Sequence, residues 1–240
     1  MDKILGMVDL YEIWPNTVSG GVLLFCLVWL LPEFREGLME LCSGFGEAAT
    51  FTVFVAVAYV LGSLLQTPAH WAERLFWARY NGRPTDWILD PTRWAALGLD
   101  EKGGTKLWNE IREKFSDLPE DPAKTDRQRW HWIVRQITTR VESTMPVARL
   151  HKFEMLYLQY RGIYVGLPVA VGIWLIYNLP CLITSACWAR PIAIGKILTM
   201  SLVILVAAIR LKKFAVNYAQ ELLLLFMLPK PKKEEEEKEK

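Results

Sequence analysis

The stretch from Ala48 to Gln66 reads AATFTVFVAVAYVLGSLLQ and contains no acidic or basic side chain. As an α-helix rising about 1.5 Å per residue, it is long enough to cross the roughly 30 Å apolar core of a bilayer. Three more windows are nearly free of charge, namely Asn16–Leu31, Gly162–Leu179 and Ile192–Ile209. The sequence therefore predicts an all-α integral membrane protein whose four transmembrane helices form two hairpins.

The composition supports this separation of apolar and charged segments. Hydrophobic residues make up 52% of the chain and charged residues 22%, with a formal net charge of +2. Because the charged fraction is ordinary and the hydrophobic fraction is high, the two classes must occupy different stretches. Residues 1–15 are acidic rather than basic, unlike the first region of a cleavable signal peptide, so we expect the first helix to stay as an anchor.

Outward from the four windows, the chain divides into five regions. Pro15 is predicted to end a first short helix, and Thr67-Pro68 to open a new helix after the second span. In chain order we predict an interfacial amphipathic helix (1–15), a first transmembrane hairpin (16–66), a helical Trp-rich cytoplasmic domain (67–161), a second transmembrane hairpin with a cytoplasmic helical extension (162–228) and a disordered charged tail (229–240).

The central segment differs in composition from its flanks. It holds seven of the eleven tryptophans and sixteen Lys or Arg residues. Asp90-Pro91 and Asp121-Pro122 are typical helix starts, and Gly103–Lys106 is interpreted as a polar turn. Trp130, Ile133, Val134, Ile137 and Val141 recur in steps of three and four, which indicates an amphipathic helix. We expect a small helical domain that packs either against itself or against the membrane surface.

A His-x-x-Glu pattern occurs twice, at His70 and Glu73 and at His151 and Glu154. A spacing of three places both side chains of a pair on one helix face. The two pairs together resemble the ligand sets of di-metal helix bundles, which gives a metal-site hypothesis. The alternative is that each pair is only an interfacial hydrogen bond or part of a solvated face. Since the sequence has no recognised catalytic motif, we predict a protein that is not an enzyme and has no cofactor.

A basic cluster is predicted at the membrane edge that these two pairs share. One interpretation is contact with anionic lipid headgroups. The other is a phosphorylated small ligand, such as a nucleotide second messenger, with tryptophans as stacking surfaces. No nucleic acid duplex is expected as a partner. The cluster consists of Arg74, Arg79, Arg149, Lys152 and Arg161.

Small residues recur within the predicted spans and favour close helix contacts, within one chain or in a homo-oligomer. They are Ala58, Gly62, Gly162, Gly166 and Ala170. On the opposite side of the membrane, a disulfide between Cys42 and either Cys181 or Cys187 is one option that the spacing leaves open.

The distribution of positive charge predicts the orientation. Ten Lys or Arg residues flank the spans on the side of the termini and the central domain, and three are assigned to the other side: Arg35, Arg190 and Lys196. Because positive charge collects on the cytoplasmic side, we predict a multi-pass protein of the bacterial inner membrane with cytoplasmic N- and C-termini.

Two stretches carry a resemblance to known proteins: AYVLGSLLQTPAHWAERLFW from Ala58 to Trp77, and ARLHKFEMLYLQYRGIYVGL from Ala148 to Leu167. They resemble a loose group of uncharacterised bacterial membrane proteins with four helices and a cytoplasmic insertion. The resemblance implies the same architecture. Some bacterial membrane proteins of this layout act as effectors in antiphage systems, which adds an analogy of architecture alone.

The leading hypothesis is a non-enzymatic inner-membrane protein that binds membrane lipids and whose cytoplasmic helical domain binds a protein partner or a ligand. One alternative is a membrane-perturbing, pore-forming effector of a bacterial defence system. A second is a metal-dependent membrane enzyme that uses the two His-x-x-Glu pairs.

Overall fold

The computed structural model describes residues 2–179 and 191–228, with side chains described for residues 13–179 and 194–228. Within these ranges the chain is helical and contains no strand. The α-helices are α1 (Asp2–Leu30), α2 (Pro32–Ser43), α3 (Glu47–Ala78), α4 (Glu101–Lys114), α5 (Arg127–Thr144), α6 (Ala148–Tyr177) and α7 (Pro191–Met227), and 3₁₀-helices cover Pro84–Leu89, Pro91–Leu97 and Pro122–Lys124. The predicted charged tail, 229–240, and the cysteines at 181 and 187 lie outside the described residues.

Four of these helices are long and apolar enough to cross a membrane. The candidate spans lie within Ile13–Leu30, Glu47–Ala78, Ala148–Tyr177 and Ile194–Met227. Many large apolar side chains on these helices are exposed, including Phe25, Phe51 and Leu202. The prediction of an all-α chain with four helices of spanning length is therefore confirmed.

Two predicted helix boundaries are wrong, because α1 runs through Pro15 and α3 runs through Pro68. A proline in a helix interior lacks an N–H donor and crowds the preceding turn, so it favours a boundary in an isolated helix. Packed apolar helices tolerate this cost where neighbouring groups satisfy the backbone.

Two segments predicted as connections are also helical. Helix α2 forms between the first two candidate spans and begins with Pro32 at its first position. The Gly103–Lys106 segment, interpreted as a polar turn, lies inside α4, whose N-cap is Asp100. A Cβ atom on Gly104 would lie 2.0 Å from a ring carbon of Trp94, so this glycine lets an indole pack directly on the helix backbone.

The chain divides into two compact units. The first comprises the described parts of residues 1–75 and 155–212, and the second those of residues 76–154 and 213–240. The second unit therefore includes the C-terminal part of α7, which the sequence predicts as an extension of the second hairpin.

Helices α1, α3 and α6 of the first unit approach each other closely at small residues. A Cβ on Gly62 of α3 would lie 1.8 Å from the Asn16 carbonyl oxygen, and one on Gly20 of α1 would lie 1.8 Å from the Ala58 carbonyl oxygen. On α6, a Cβ on Gly162 would lie 2.5 Å from the Ser19 Cβ. These backbones are near enough that only glycine fits, which is the usual way in which apolar helices associate without polar side chains.

The second unit is built around indoles whose N–H groups donate to backbone carbonyls. The acceptors are Thr85 for Trp130 at 3.0 Å, Glu120 for Trp108 at 3.0 Å, Ile88 for Trp94 at 2.9 Å and Gly82 for Trp87 at 3.1 Å. A buried indole needs such a partner, and these acceptors lie in the irregular connections and short 3₁₀ segments. The tryptophans therefore fix segments that have few regular hydrogen bonds of their own.

Aspartates begin four of the helical segments in this unit. Asp90, Asp100, Asp121 and Asp126 each accept a hydrogen bond from a backbone N–H of the following turn. Their carboxylates thus satisfy donors that have no partner inside the helix. The hydroxyl of Thr92 also donates to Asp90 at 2.7 Å, and this bond is the main reason why the pKa of Asp90 is lowered.

We expect Gly62→Ala to destabilise the first unit, because the new methyl group would meet the backbone of α1. Overpacking of this kind costs about 1–3 kcal/mol. Gly172→Ala is the matched control, since a Cβ added at that position would have no neighbouring atom within 4 Å. Thermal unfolding of the purified protein in detergent measures both. Equal unfolding temperatures for the two variants would contradict the close contact between α1 and α3.

Candidate functional site

A polar network lies inside the first unit and joins α1, α3 and α6. The Arg161 side chain donates through Nη1 to Glu73 Oε2 at 2.9 Å and through Nη2 to the Gln66 side-chain oxygen. Gln66 Nε2 in turn donates to Asn16 Oδ1 at 2.6 Å. One residue from α1, two from α3 and one from α6 are thus connected by side-chain hydrogen bonds.

The ion pair at the centre of this network is withdrawn from solvent. The Glu73 side chain is 2% exposed and the Arg161 side chain 16% exposed. Arg161 Nε is also buried and has no acceptor among the described residues. An isolated buried charge costs several kcal/mol, and each partner offsets the cost of burying the other. The network places a fixed, paired charge where three candidate membrane helices meet.

This arrangement bears on both hypotheses that used these residues. Arg161 was a candidate ligand for phosphate or lipid headgroups, but two of its nitrogens already contact protein oxygens. Glu73 was a candidate metal ligand, but it accepts from Arg161. A ligand at either residue would compete with this internal charge-assisted hydrogen bond.

We expect Glu73→Gln to lower the stability of the protein, because it leaves the Arg161 guanidinium buried without its counter-charge. Breaking one side of a buried pair costs about 3–5 kcal/mol. Thermal unfolding in detergent measures the effect, with Glu36→Gln on the exposed side of α2 as a matched control.

The double variant Glu73→Gln/Arg161→Gln measures the interaction energy between the two side chains. Because neither charge then remains buried alone, it should lose less stability than the sum of the single variants. Additive losses would show that the two side chains act independently.

The other predicted basic residues lie in different environments. Arg74 is exposed on α3, Arg79 is exposed directly after the end of α3, and Lys152 is exposed on α6. Arg149 Nε lies 3.3 Å from Glu221 Oε2 on α7, inside the second unit. Arg74 and Arg161 belong to the first unit, and Arg79, Arg149 and Lys152 belong to the second. The structure thus does not gather the five into one described cluster within either unit.

The structure adds one candidate metal ligand, Glu142, to the predicted pair of His151 and Glu154. Glu142, His151 and Glu154 offer ligand atoms that all lie within 4.8 Å of one another. His151 Nδ1 lies 3.5 Å from Glu154 Oε2, so the pair predicted to share a helix face does so. His70 and Glu73 belong to the first unit, whereas these three residues belong to the second. One histidine and two carboxylates suit a divalent cation, but exposed groups of this kind are common without one.

Helix α5 presents a basic face that borders an open cleft of about 800 Å³. Four of the lining side chains are cationic: Lys114 at the end of α4, and Arg129, Arg135 and Arg140 on α5. The remaining lining residues are Phe115, Ser116, Trp132, Gln136, Thr139, Ser143 and Thr144, so no carboxylate lines the cleft.

The arginines of this face are available for a ligand. Among the described residues, no carboxylate oxygen lies within 4.0 Å of the side-chain nitrogens of Arg129, Arg135 or Arg140, and all three residues are exposed. Lys114 differs, because its Nζ lies 2.5 Å from Glu110 Oε1 and 4.2 Å from the Phe226 ring centre. The positive potential therefore comes mainly from α5, and like charges along one face reinforce it.

The hydrophobic periodicity of the sequence indicates only the buried face of α5, which lies opposite the basic face. The apolar stripe that contains Trp130 identifies the core side, and it gives no information on the residues between its members. The signal was present, since Arg129, Trp132, Gln136, Thr139 and Ser143 also recur in steps of three and four. The contribution of Lys114 and the absence of carboxylates from the lining of the cleft depend on tertiary packing.

No protein-family model, curated protein or solved structure matches this chain. Any functional assignment therefore depends on the residues and their geometry.

Proposed function

We propose that this chain is a non-enzymatic, multi-pass protein of the bacterial inner membrane whose helical second unit binds an anionic ligand on the basic face of α5. The observation that carries the proposal is the exposed group formed by Arg129, Arg135 and Arg140, which lines a cleft without carboxylates. Guanidinium groups that are not engaged by protein carboxylates are suited to bind phosphate or carboxylate groups in pairs of hydrogen bonds.

The internal organisation of the second unit supports a binding role. Its tryptophans Trp87, Trp94, Trp108 and Trp130 are buried, and their N–H groups are satisfied by backbone carbonyls. Such a core gives α5 a rigid support. One face of the helix packs on the core, and the opposite face, which carries the arginines, remains open. A site on a rigid helix needs little reorganisation when a ligand binds.

The orientation is part of the proposal. Two of the ten positive residues that favour a cytoplasmic second unit are paired, Arg161 with Glu73 and Arg149 with Glu221, but acidic residues contribute little to orientation, so the count stays at ten against three. On the side with three, Lys196 donates from Nζ to the Trp29 carbonyl at 3.0 Å, near the C-terminal end of α1, where helix carbonyls favour a cation. The excess still favours cytoplasmic termini.

Alkaline phosphatase fusions test this orientation, because the enzyme is active only outside the cytoplasm. We expect an active fusion at Gly44 and inactive fusions at Gly98 and after Leu228. Expression levels of the three fusions must be equal for the comparison. Activity at Gly98 would place the basic face outside the cytoplasm and overturn the proposed location.

Inorganic tripolyphosphate tests anion binding without assuming the rest of the ligand. At ten times its Kd it should stabilise the full chain by about 1.4 kcal/mol, which raises Tm by about 3–6 °C. The double variant Arg135→Glu/Arg140→Glu should lose this shift. Arg127→Glu, a charge reversal at an exposed position of the same helix that does not line the cleft, should keep it. A shift that the double variant retains would contradict the proposed site.

The metal-dependent alternative rests on Glu142, His151 and Glu154, which are three donors within the second unit. Metal analysis of the purified protein and of His151→Ala separates it from the binding proposal. The pore-forming alternative stays a hypothesis, and depolarisation of cells on induction is the measurement that addresses it.

A further inference from the structure

We infer that the ligand of the α5 cleft is a nucleotide with several phosphates, whose base stacks on Trp132 and whose phosphates lie along Arg135 and Arg140. This inference rests on the proposed function, since it names the ligand class of the same site.

The indole of Trp132 is exposed at the cleft. Its side chain is 46% exposed, whereas Trp87, Trp94, Trp108 and Trp130 of the same unit are each at most 6% exposed. The Arg129 guanidinium lies over the Trp132 ring, 4.6 Å from its centre. Arginine and an aromatic ring together form the kind of surface on which nucleobases stack.

The spacing along α5 fits a base followed by phosphates. With a rise of about 1.5 Å per residue, Arg135 lies roughly 4.5 Å and Arg140 roughly 12 Å beyond Trp132 along the helix axis. Around the helix axis the two arginines lie on either side of Trp132, so a base on the indole would place its phosphates in the cleft between them. Gln136, which also lines the cleft, lies between the two arginines, where its side-chain amide can donate a further hydrogen bond to a phosphate.

Other anions would leave part of this site unused. A lipid headgroup brings phosphate but no aromatic ring, so Trp132 would contribute no stacking. In a duplex the bases are already stacked on each other, and the phosphates alone would reach the cleft. Only a ligand with both phosphates and an accessible base uses the arginines and the indole together.

The test compares ATP, tripolyphosphate and adenosine as ligands of the full chain in nanodiscs of zwitterionic lipid, with Kd measured by calorimetry. Base–aromatic stacking should make ATP bind roughly 5- to 150-fold more tightly than tripolyphosphate. Trp132→Ala should remove this advantage without changing the affinity for tripolyphosphate, and Trp132→Phe should keep part of it. Because Trp132 is exposed, these variants are expected to fold, and their Tm without ligand serves as the control.

The outcomes separate this inference from the proposed function. If tripolyphosphate binds and ATP has no advantage, or if Trp132→Ala retains the advantage, the nucleotide inference is wrong and the anion site stands. If neither compound binds, both are wrong. A further arm of the experiment uses nanodiscs with anionic lipid. If this lipid blocks the binding of tripolyphosphate and of ATP equally, and if Trp132→Ala binds both compounds as the wild type does, the site binds lipid headgroups. That outcome would overturn the inference.

Discussion

The constraint on which the first unit depends is the burial of the Arg161 guanidinium. A charge that is largely removed from water must have a counter-charge and hydrogen-bond acceptors within about 3 Å. Glu73 and Gln66 supply them from α3, and Gln66 extends the network to Asn16 on α1. The same three helices also approach closely at glycines, where a Cβ would collide with a neighbouring helix. The polar network and these glycines are thus two parts of one packing solution. The glycines are Gly20, Gly62 and Gly162.

The second unit solves a different problem, since much of it is short 3₁₀ helix and connection. Regular helices satisfy their own backbone groups, whereas these segments cannot do so fully. The buried indoles provide both apolar volume and one directed N–H each, and the carbonyls of Gly82, Thr85, Ile88 and Glu120 accept from them. The high tryptophan content is therefore a structural requirement of the core, and the exposed Trp132 is an exception to it.

Helix α5 joins structure and proposed function through its two faces. Trp130, Ile133, Ile137 and Val141 are buried on one side and fix the rotation of the helix. That rotation directs the arginines and Trp132 outward into the cleft. Because the same residues that stabilise the core also position the basic face, substitutions on the buried stripe would disturb both, whereas substitutions on the exposed face separate binding from folding.

The sequence by itself determined the helical class, the four apolar segments of spanning length and the amphipathic character of α5, because hydrophobic periodicity and charge-free length are local properties. It also located the aspartate caps at Asp90 and Asp121. It misplaced the boundaries at Pro15 and Pro68, since an interior proline disfavours a helix locally but does not by itself end a long apolar one. Only the tertiary structure decided that Glu73 pairs with Arg161 over 88 positions of sequence, that Glu142 joins His151 and Glu154, and that Lys114 borders the α5 cleft. Charge pairing depends on distances of a few ångströms between remote segments, and no local pattern encodes them.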